Sequence, residues 1–268
     1  HYNESCIKFD KNLLYKLKIG ICNFTNTEFN TKLTFSKYLR THDDLNTQVI
    51  KDNDIIVIGD SIAMGWGVND NETFSYRLQS LLNNNVYNMG VSSYGTIREI
   101  KKLIQSPYYD DIKTIIIQYH RNDIFENAEL DINKKYKISE YKKNISYEKI
   151  DSSNIKFILR NYKSAIRLFF SDIIDIIFEE KNLELMNFNY HKKYLDKVIN
   201  NNIDLTKKRV IVVVPILPWQ KTLNFPKKKS EIEYLLIKLE KKHFFIIDDH
   251  PNSSGHKEIA TKIHDYIK

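Results

Sequence analysis

One short apolar run that stops at a small polar turn limits the folds open to this chain. Ile55–Ile58 consists only of β-branched residues, and Gly59-Asp60-Ser61 follows it directly. Such a run, bounded by turn residues, predicts a buried strand. Ligands in open α/β sheets bind just outside the carboxyl ends of the strands, so Ser61 is a candidate nucleophile. The alternative is a turn in which Ser61 only caps the following helix.

A second group of polar residues, near the end of the chain, supplies the partners that a serine nucleophile needs. The apolar run at residues 244–247 predicts another strand, and Asp248, Asp249 and His250 follow it. Residues 258–267 are amphipathic and predict a closing helix. A serine hydroxyl needs a histidine to remove its proton and a carboxylate to hold the imidazole in the right tautomer. The two strand ends therefore predict a site for acyl transfer.

Hydrophobic periodicity predicts further elements along the chain. The predicted helices cover residues 69–85, 97–105, 183–202 and 227–241, and the predicted strands cover residues 113–119 and 209–214. Strands that alternate with helices in this way indicate an α/β fold with a parallel sheet.

Four separated motifs carry a resemblance to a known family. They are Gly59-Asp60-Ser61 continued by Gly65-Trp66-Gly67-Val68, Asn88-Met89-Gly90-Val91 followed by Tyr94-Gly95-Thr96, Tyr119-His120-Arg121-Asn122-Asp123, and Asp248-Asp249-His250-Pro251-Asn252 followed by Gly255-His256. Their order and their placement at strand ends resemble the SGNH hydrolases, also called the GDSL esterase family, over residues 52–268 apart from a long middle segment. Each motif alone is unspecific, whereas four in this order are specific.

The resemblance implies a fold and a set of roles. The fold is α/β: a three-layer α/β/α, flavodoxin-like arrangement around a mainly parallel five-stranded sheet. Ser61 is implied as the nucleophile and His250 as the general base and then acid. The implied oxyanion hole consists of the backbone amides of Ser61 and Gly90 and the side-chain amide of Asn122, because fixed donors stabilise the negative oxygen of the tetrahedral intermediate. No cofactor is implied, and no cluster has the usual spacing of metal ligands.

The triad acid is left open between two neighbours. The commoner family form has the acid three residues before the histidine, where this chain has Ile247. Asp248 lies two residues before His250 and therefore on the same side of an extended segment, so we prefer it. Asp249 stays open if the loop turns sharply.

Two further histidines lie near these motifs. His120 stands where many family members have glycine, and it either lines the pocket or has a structural role. His256 opens the last helix, and we expect it to be a packing or surface residue.

The predicted organisation is a single catalytic domain with two additions. Residues 1–50 form an extended lead-in that packs on the core, and residues 51–268 form the SGNH hydrolase domain. A helical insertion occupies about residues 124–206. Its apolar part, residues 155–178, predicts a helix that packs on the core, or else a cap, a membrane-facing helix or a dimer surface.

Composition limits the partners. The chain has 268 residues and a formal net charge of +7, but no nucleic-acid-binding motif accompanies its basic runs, so we expect no nucleic-acid partner. No stretch approaches the roughly 18 apolar residues of a membrane-spanning helix, and no secretory signal is visible. Because the chain begins at His1, we expect a processed or truncated form whose signal or anchor lay upstream.

The two cysteines bear on the compartment. Cys6 and Cys22 would form one disulfide in an exported protein and would be thiols in a cytosolic one. We expect an exported bacterial protein, periplasmic or at the cell surface, with membrane association through a lost anchor or residues 155–178 as an option.

The function expected from these features is a serine-dependent ester hydrolase or acyltransferase. The expected substrate is an acylated small molecule or polysaccharide, above all O-acetyl groups of a cell-envelope glycan, which rests on the resemblance. One alternative is a lipid esterase or thioesterase that uses the apolar middle segment. Another is a glycan-binding assembly protein without catalysis.

Overall fold

The computed structural model describes residues 6–41, 50–129, 131–142, 188–216 and 231–268. The strands are β1 (Ile7–Asp10), β2 (Leu14–Leu17), β3 (Gly20–Thr25), β4 (Asn30–Phe35), β5 (Ile55–Ile58), β6 (Val86–Asn88), β7 (Thr114–Gln118), β8 (Arg209–Ile216) and β9 (Ile232–Lys238). The α-helices are α1 (Ser61–Met64), α2 (Phe74–Leu82), α3 (Thr96–Ile104), α4 (Ile124–Asn127), α5 (Phe188–Asn202) and α6 (Ser253–Ile267). Residues 155–178, for which the sequence predicts an apolar helix, lie outside the described part of the chain.

A five-stranded sheet forms the centre of the fold. Its order is β6-β5-β7-β8-β9, and every neighbouring pair is parallel. The chain runs from β5 outward to β6 and then returns to the other side of β5, where it forms β7. This reversal makes the β5–β7 boundary the switch point at which α/β sheets bind ligands. The predicted parallel five-stranded sheet is confirmed.

Alternating residues of the strands build two apolar layers, one on each face of the sheet. On one face, Ile56, Ile58, Ile115, Ile117, Val210 and Val212 pack with Ile97 and Ile100 of α3 and Leu195 and Ile199 of α5. On the other face, Ile55, Val57, Ile116, Ile211 and Val213 pack with Phe74 and Leu78 of α2 and Ile259 and Ile263 of α6. Because strand side chains point to opposite faces in turn, continuous β-branched runs satisfy both layers. The fold is therefore α/β/α.

Two sequence-based assignments near the end of the chain are wrong. The described part of residues 227–241 contains strand β9 rather than a helix, since Ile232–Lys238 pairs with β8 along its whole length. The run at residues 244–247 is not a strand: Phe244 packs in the layer with α6, Phe245 turns towards Phe29, and Ile246 is exposed. Apolar composition alone does not show that Phe244, Phe245 and Ile246 lie in three different surroundings.

Two antiparallel hairpins precede the sheet. β1 pairs with β2, and β3 pairs with β4. Cys6 and Cys22 form a disulfide, and both are buried with Phe24, Phe35 and Trp66 in a cluster between the second hairpin and the loop after α1. The second hairpin therefore packs against the segment that carries the candidate nucleophile, whereas the first hairpin packs against Val91 and Tyr94. The predicted division of the chain at residue 50 stays a prediction.

Within the described residues, no helix is both long enough and apolar enough to cross a membrane.

Removing the disulfide should destabilise the protein without changing its fold. The bond joins residues 16 apart, and closing a loop of that size contributes about 3 kcal/mol by restricting the unfolded chain. The double variant Cys6→Ala/Cys22→Ala should therefore lose about that much free energy of unfolding in urea titrations. A midpoint equal to that of the oxidised wild type would contradict this account.

Candidate active site

The turn after β5 places Ser61 at the carboxyl edge of the sheet. The Asp60 carboxylate caps the short helix α1 by accepting the Ile62 amide at 2.9 Å. Gln118, at the end of β7, accepts the amides of Asp60 and Ala63 through Oε1 at 3.2 and 3.0 Å. These side chains satisfy first-turn amides that lack intrahelical acceptors. Ser61 is thereby fixed as the first residue of α1.

Ser61, His250 and Asp248 form a continuous hydrogen-bonded chain. His250 Nε2 lies 2.8 Å from Ser61 Oγ, and His250 Nδ1 lies 2.5 Å from Asp248 Oδ1. The nearest Asp249 carboxylate oxygen is 3.9 Å from Nδ1, and that side chain is 59% exposed. Asp248, the preferred acid, is therefore the one that contacts the imidazole. With Nδ1–H donated to the carboxylate, Nε2 is the nitrogen that faces the hydroxyl.

The carboxylate of Asp248 is half-buried and negatively charged. Burial by itself raises the pKa of this carboxyl, but the neighbouring His250 and hydrogen bonds from His250 and Trp66 lower the pKa below its usual value. Oδ2 accepts the indole Nε1–H of Trp66 at 3.1 Å and the Nδ2–H of Asn26 at 3.2 Å. Both carboxylate oxygens therefore have donors, which keeps Asp248 ionised beside the imidazole.

His250 responds to this anion in the opposite direction. Burial lowers the pKa of its imidazole, but the charge and hydrogen bond of Asp248 outweigh burial and raise the pKa to about 9. The pair thus favours the imidazolium. The imidazolium is the species that forms during attack, when a neutral His250 takes the proton of the serine.

Gly90 is needed where the loop after β6 crosses α1. A Cβ at this position would lie 2.3 Å from the Met64 nitrogen and 2.6 Å from the Ala63 carbonyl carbon, so no larger residue fits. The Gly90 amide donates to Asn88 Oδ1 at 2.9 Å, and Asn88 Nδ2 donates to the Ala63 carbonyl at 2.8 Å. The predicted oxyanion donor is therefore close to the nucleophile turn, but a substrate oxygen would have to share its hydrogen with Asn88.

His120 and Asn122 act as a pair in the turn after β7. His120 Nδ1 lies 2.7 Å from Asn122 Oδ1, so the imidazole donates and the amide oxygen accepts. That contact leaves Nδ2 as the Asn122 group that can donate to a substrate oxygen. His120 also lies 3.9 Å from an oxygen of Asp60. His120 thereby holds the side-chain amide of Asn122 in one orientation. A glycine at position 120 would have no side chain to make this contact.

His256 belongs to the packing between helices. It is fully buried in α6, its Nδ1 accepts the Phe74 amide at 3.2 Å, and its ring stacks on the Phe74 ring. Burial lowers the pKa of the imidazole to about 3, and the positive charges of Arg40 and Arg77 act in the same direction. This histidine is therefore neutral and joins α6 to α2.

The sequence interpretation missed three supporting residues. Gln118 carried a weak signal, because it is a polar residue at the end of an apolar strand. Arg40 is buried and donates to the carbonyls of Met64, Gly65 and Val68 at 2.5 to 2.6 Å, which fixes the loop that carries Trp66. Asn26 and Arg40 lie far from the motifs along the chain, and no local pattern marks them.

One group among the described residues brings potential metal ligands together. The nearest ligand atoms of Asp248, Asp249 and His250 all lie within 4.8 Å of one another. Two of these residues are the candidate acid and base described above. A metal on His250 Nδ1 would use the lone pair of the nitrogen whose proton is donated to Asp248, so metal binding there and the hydrogen-bonded chain are mutually exclusive.

The chain is similar in three-dimensional structure to several solved proteins. No family model and no curated protein matches the chain. A lipolytic protein assigned to the G-D-S-L family from Desulfitobacterium hafniense DCB-2 matches with 10% identity and a TM-score of 0.45, over 80% of this chain and 99% of that one. A member of the same family from Veillonella parvula DSM 2008 matches with 16% identity and a TM-score of 0.41, over 79% and 96%.

A third match is a carbohydrate esterase. It is a family two enzyme from Clostridium thermocellum in complex with cellohexaose, with 10% identity and a TM-score of 0.42 over 82% of this chain and 66% of that one. Two of these three structures are described as members of the G-D-S-L family. Identity and TM-score are low in all three, so the roles of the residues rest on the contacts given above.

The two adjacent carboxylates can be separated by their effect on His250. Because Asp248 contributes most of the raised pKa, Asp248→Asn should bring the imidazole pKa down from about 9 towards the ordinary 6.5, and Asp249→Asn should lower it less. Titration of the His250 ring by NMR measures both. Equal shifts in the two variants would contradict the assignment.

The raised pKa of His250 determines how the stability of the protein changes with pH. The folded-state value lies above the unfolded one, so the His250–Asp248 pair contributes fully to stability below about pH 6.5, as long as Asp248 stays ionised, and this contribution is lost as pH rises through about 9. Urea titrations of wild type and Asp248→Asn should differ most at the lower pH. A difference that grows above pH 9 would contradict this sign.

Proposed function

We propose that this protein is a serine-dependent ester hydrolase or acyltransferase that acts on O-acyl groups, in particular O-acetyl groups, of a cell-envelope glycan. The observation that carries the proposal is the chain Ser61 Oγ–His250 Nε2 at 2.8 Å with Asp248 behind Nδ1. Hydrogen-bond reach between nucleophile, base and orienting acid is the geometric requirement for acyl transfer.

The first half-reaction forms an acyl-enzyme. Ser61 Oγ attacks the ester carbonyl carbon while His250 Nε2 takes the hydroxyl proton, and Asp248 stabilises the imidazolium. The carbonyl oxygen becomes an oxyanion, for which the Ser61 amide, the Gly90 amide and Asn122 Nδ2 are the proposed donors. The bond to the alcohol oxygen then breaks, and His250 gives its proton to that oxygen.

The second half-reaction repeats these steps with a new oxygen. His250 removes a proton from water or from an acceptor hydroxyl, the oxygen attacks the acyl carbon, and Ser61 leaves with the proton returned to it. Water yields a hydrolase and a sugar hydroxyl yields a transferase. Both outcomes use the same residues.

The exposure of the site supports a large substrate with pendent acyl groups. The His250 side chain is 22% exposed and Asn122 is exposed, so the nucleophile region opens to the surface. The net charge of +7 favours association with an anionic envelope polymer. The disulfide supports export, because such bonds persist in oxidising compartments. The choice of a glycan rests on the motif resemblance.

Turnover of p-nitrophenyl esters tests the proposal. Wild type should hydrolyse the acetate faster than the butyrate and octanoate, and Ser61→Ala should lose the activity because the nucleophile is gone. Asn122→Ala should lower kcat by roughly 10²–10³ if its amide binds the oxyanion. Rates that rise with chain length would instead favour a lipid esterase.

Natural acceptors require a second assay. Incubation with an acetylated oligosaccharide should release acetate, or move acetyl groups to an added unacetylated oligosaccharide, in wild type and not in Ser61→Ala. Binding of the oligosaccharide without loss or transfer of acetyl, together with no turnover of any model ester, would overturn the catalytic proposal in favour of a glycan-binding protein.

A further inference from the structure

The turn of the second hairpin lies on the segment that carries the triad acid and base. We call residues 244–250 the acid loop. Glu28, in the turn between β3 and β4, accepts three consecutive amides of this loop: Ile246 N on Oε1 at 2.6 Å, and Ile247 N and Asp248 N on Oε2 at 2.7 Å each. One carboxylate thus binds the backbone up to and including Asp248.

These three amides have no sheet neighbour. The backbone pairing of the acid loop consists of an isolated bridge between Phe244 and Pro251, a bond from the Phe245 amide to the His250 carbonyl and a bond from the Phe244 amide to the Lys241 carbonyl. None of these bonds uses the amides of residues 246–248. Successive amides that converge on one point form a concavity that suits an anion, and hydrogen bonds to an ionised acceptor are about twice as strong as neutral ones. The Glu28 carboxylate fills that concavity.

Two neighbouring residues of the same turn make independent contacts with the acid loop. Asn26 Nδ2 donates to Asp248 Oδ2 at 3.2 Å, and the Phe29 ring lies 5.2 Å from the Phe245 ring. The turn is closed by a bond from the Asn26 amide to the Phe29 carbonyl at 2.8 Å. Glu28 therefore acts from a constrained turn rather than from a loose strand end.

The hairpin is itself fixed to the nucleophile segment. Phe24 packs edge-on against Trp66 with ring centroids 4.9 Å apart, and Trp66 donates to Asp248. Arg40 bridges β4 to the end of β6 through backbone pairs with Phe35 and Asn88. The hairpin thus connects the Ser61 side of the site with the Asp248 side.

We propose that Glu28 is a positioning residue that holds the acid loop so that Asp248 faces His250. The proposal rests on the proposed function for its catalytic consequence. Without this carboxylate, three amides lose their acceptor and turn to water, and the acid loop no longer has one conformation. Asp248 then leaves the imidazole for part of the time, which lowers the rate of the proton transfers that His250 performs.

Kinetics of matched variants give the first test. Glu28→Gln keeps the shape of the side chain but removes an acceptor oxygen, and Glu28→Ala removes the whole contact. Glu72→Gln is the control, because Glu72 lines the same 440 Å³ cleft, carries the same charge and binds Asn69 instead of the acid loop. Both Glu28 variants should lower kcat, by on the order of 10²-fold for the alanine, with KM unchanged. The Glu72 variant should keep the wild-type kcat.

NMR titration of His250 gives a second test that needs no turnover. The pKa of its imidazole should fall towards the ordinary value in Glu28→Gln and stay near that of wild type in Glu72→Gln. If wild type hydrolyses no ester, the proposed function fails while this titration still decides the role of Glu28. A Glu28→Gln protein with the kcat and His250 titration of the Glu72 control would overturn the proposal, whatever its thermal stability.

Discussion

The contact between Asp248 and His250 is the interaction on which the arrangement of this site depends. It joins two residues of one loop, yet its geometry is set by segments far away in sequence. Trp66 comes from the loop after α1, and Asn26 from the hairpin turn. Each supplies a donor to the carboxylate oxygen that does not face the imidazole. A half-buried anion with all its donors in place stays ionised and fixed, and this fixes the histidine opposite Ser61.

The sheet places these segments together because all its strands are parallel. Ser61, Gly90 and Asn122 follow β5, β6 and β7, whose carboxyl ends meet at one edge. The β5–β7 switch point opens a crevice at that edge. The candidate base and acid, His250 and Asp248, lie instead on a loop that follows β9 and packs against the second hairpin. The candidate site is therefore shared between the α/β core and a segment that precedes it in the chain.

Local sequence patterns predicted the core strands and several candidate site residues. They failed where packing between residues far apart in the sequence determines the structure. The β-branched runs of β5 and β7 predicted strands of the sheet, and the end of β5 marked Ser61 as a candidate nucleophile. The role expected for Asn122 came from the motif resemblance. The apolar residues of β9 are compatible with a helix as well as with a strand. They form a strand because they pair with β8. Phe244 and Phe245 look like one strand but pack in different clusters. Asn26 and Arg40 have roles only through contacts that no local pattern encodes.

The most direct measurement of the central claim is covalent labelling with a fluorophosphonate, followed by intact-mass and peptide-mapping mass spectrometry. Such a reagent reacts with a serine that a neighbouring base activates. The account predicts one adduct per chain, on Ser61, and a large loss of labelling rate in His250→Ala. Labelling at another serine, or a Ser61 adduct that forms equally fast without His250, would contradict it.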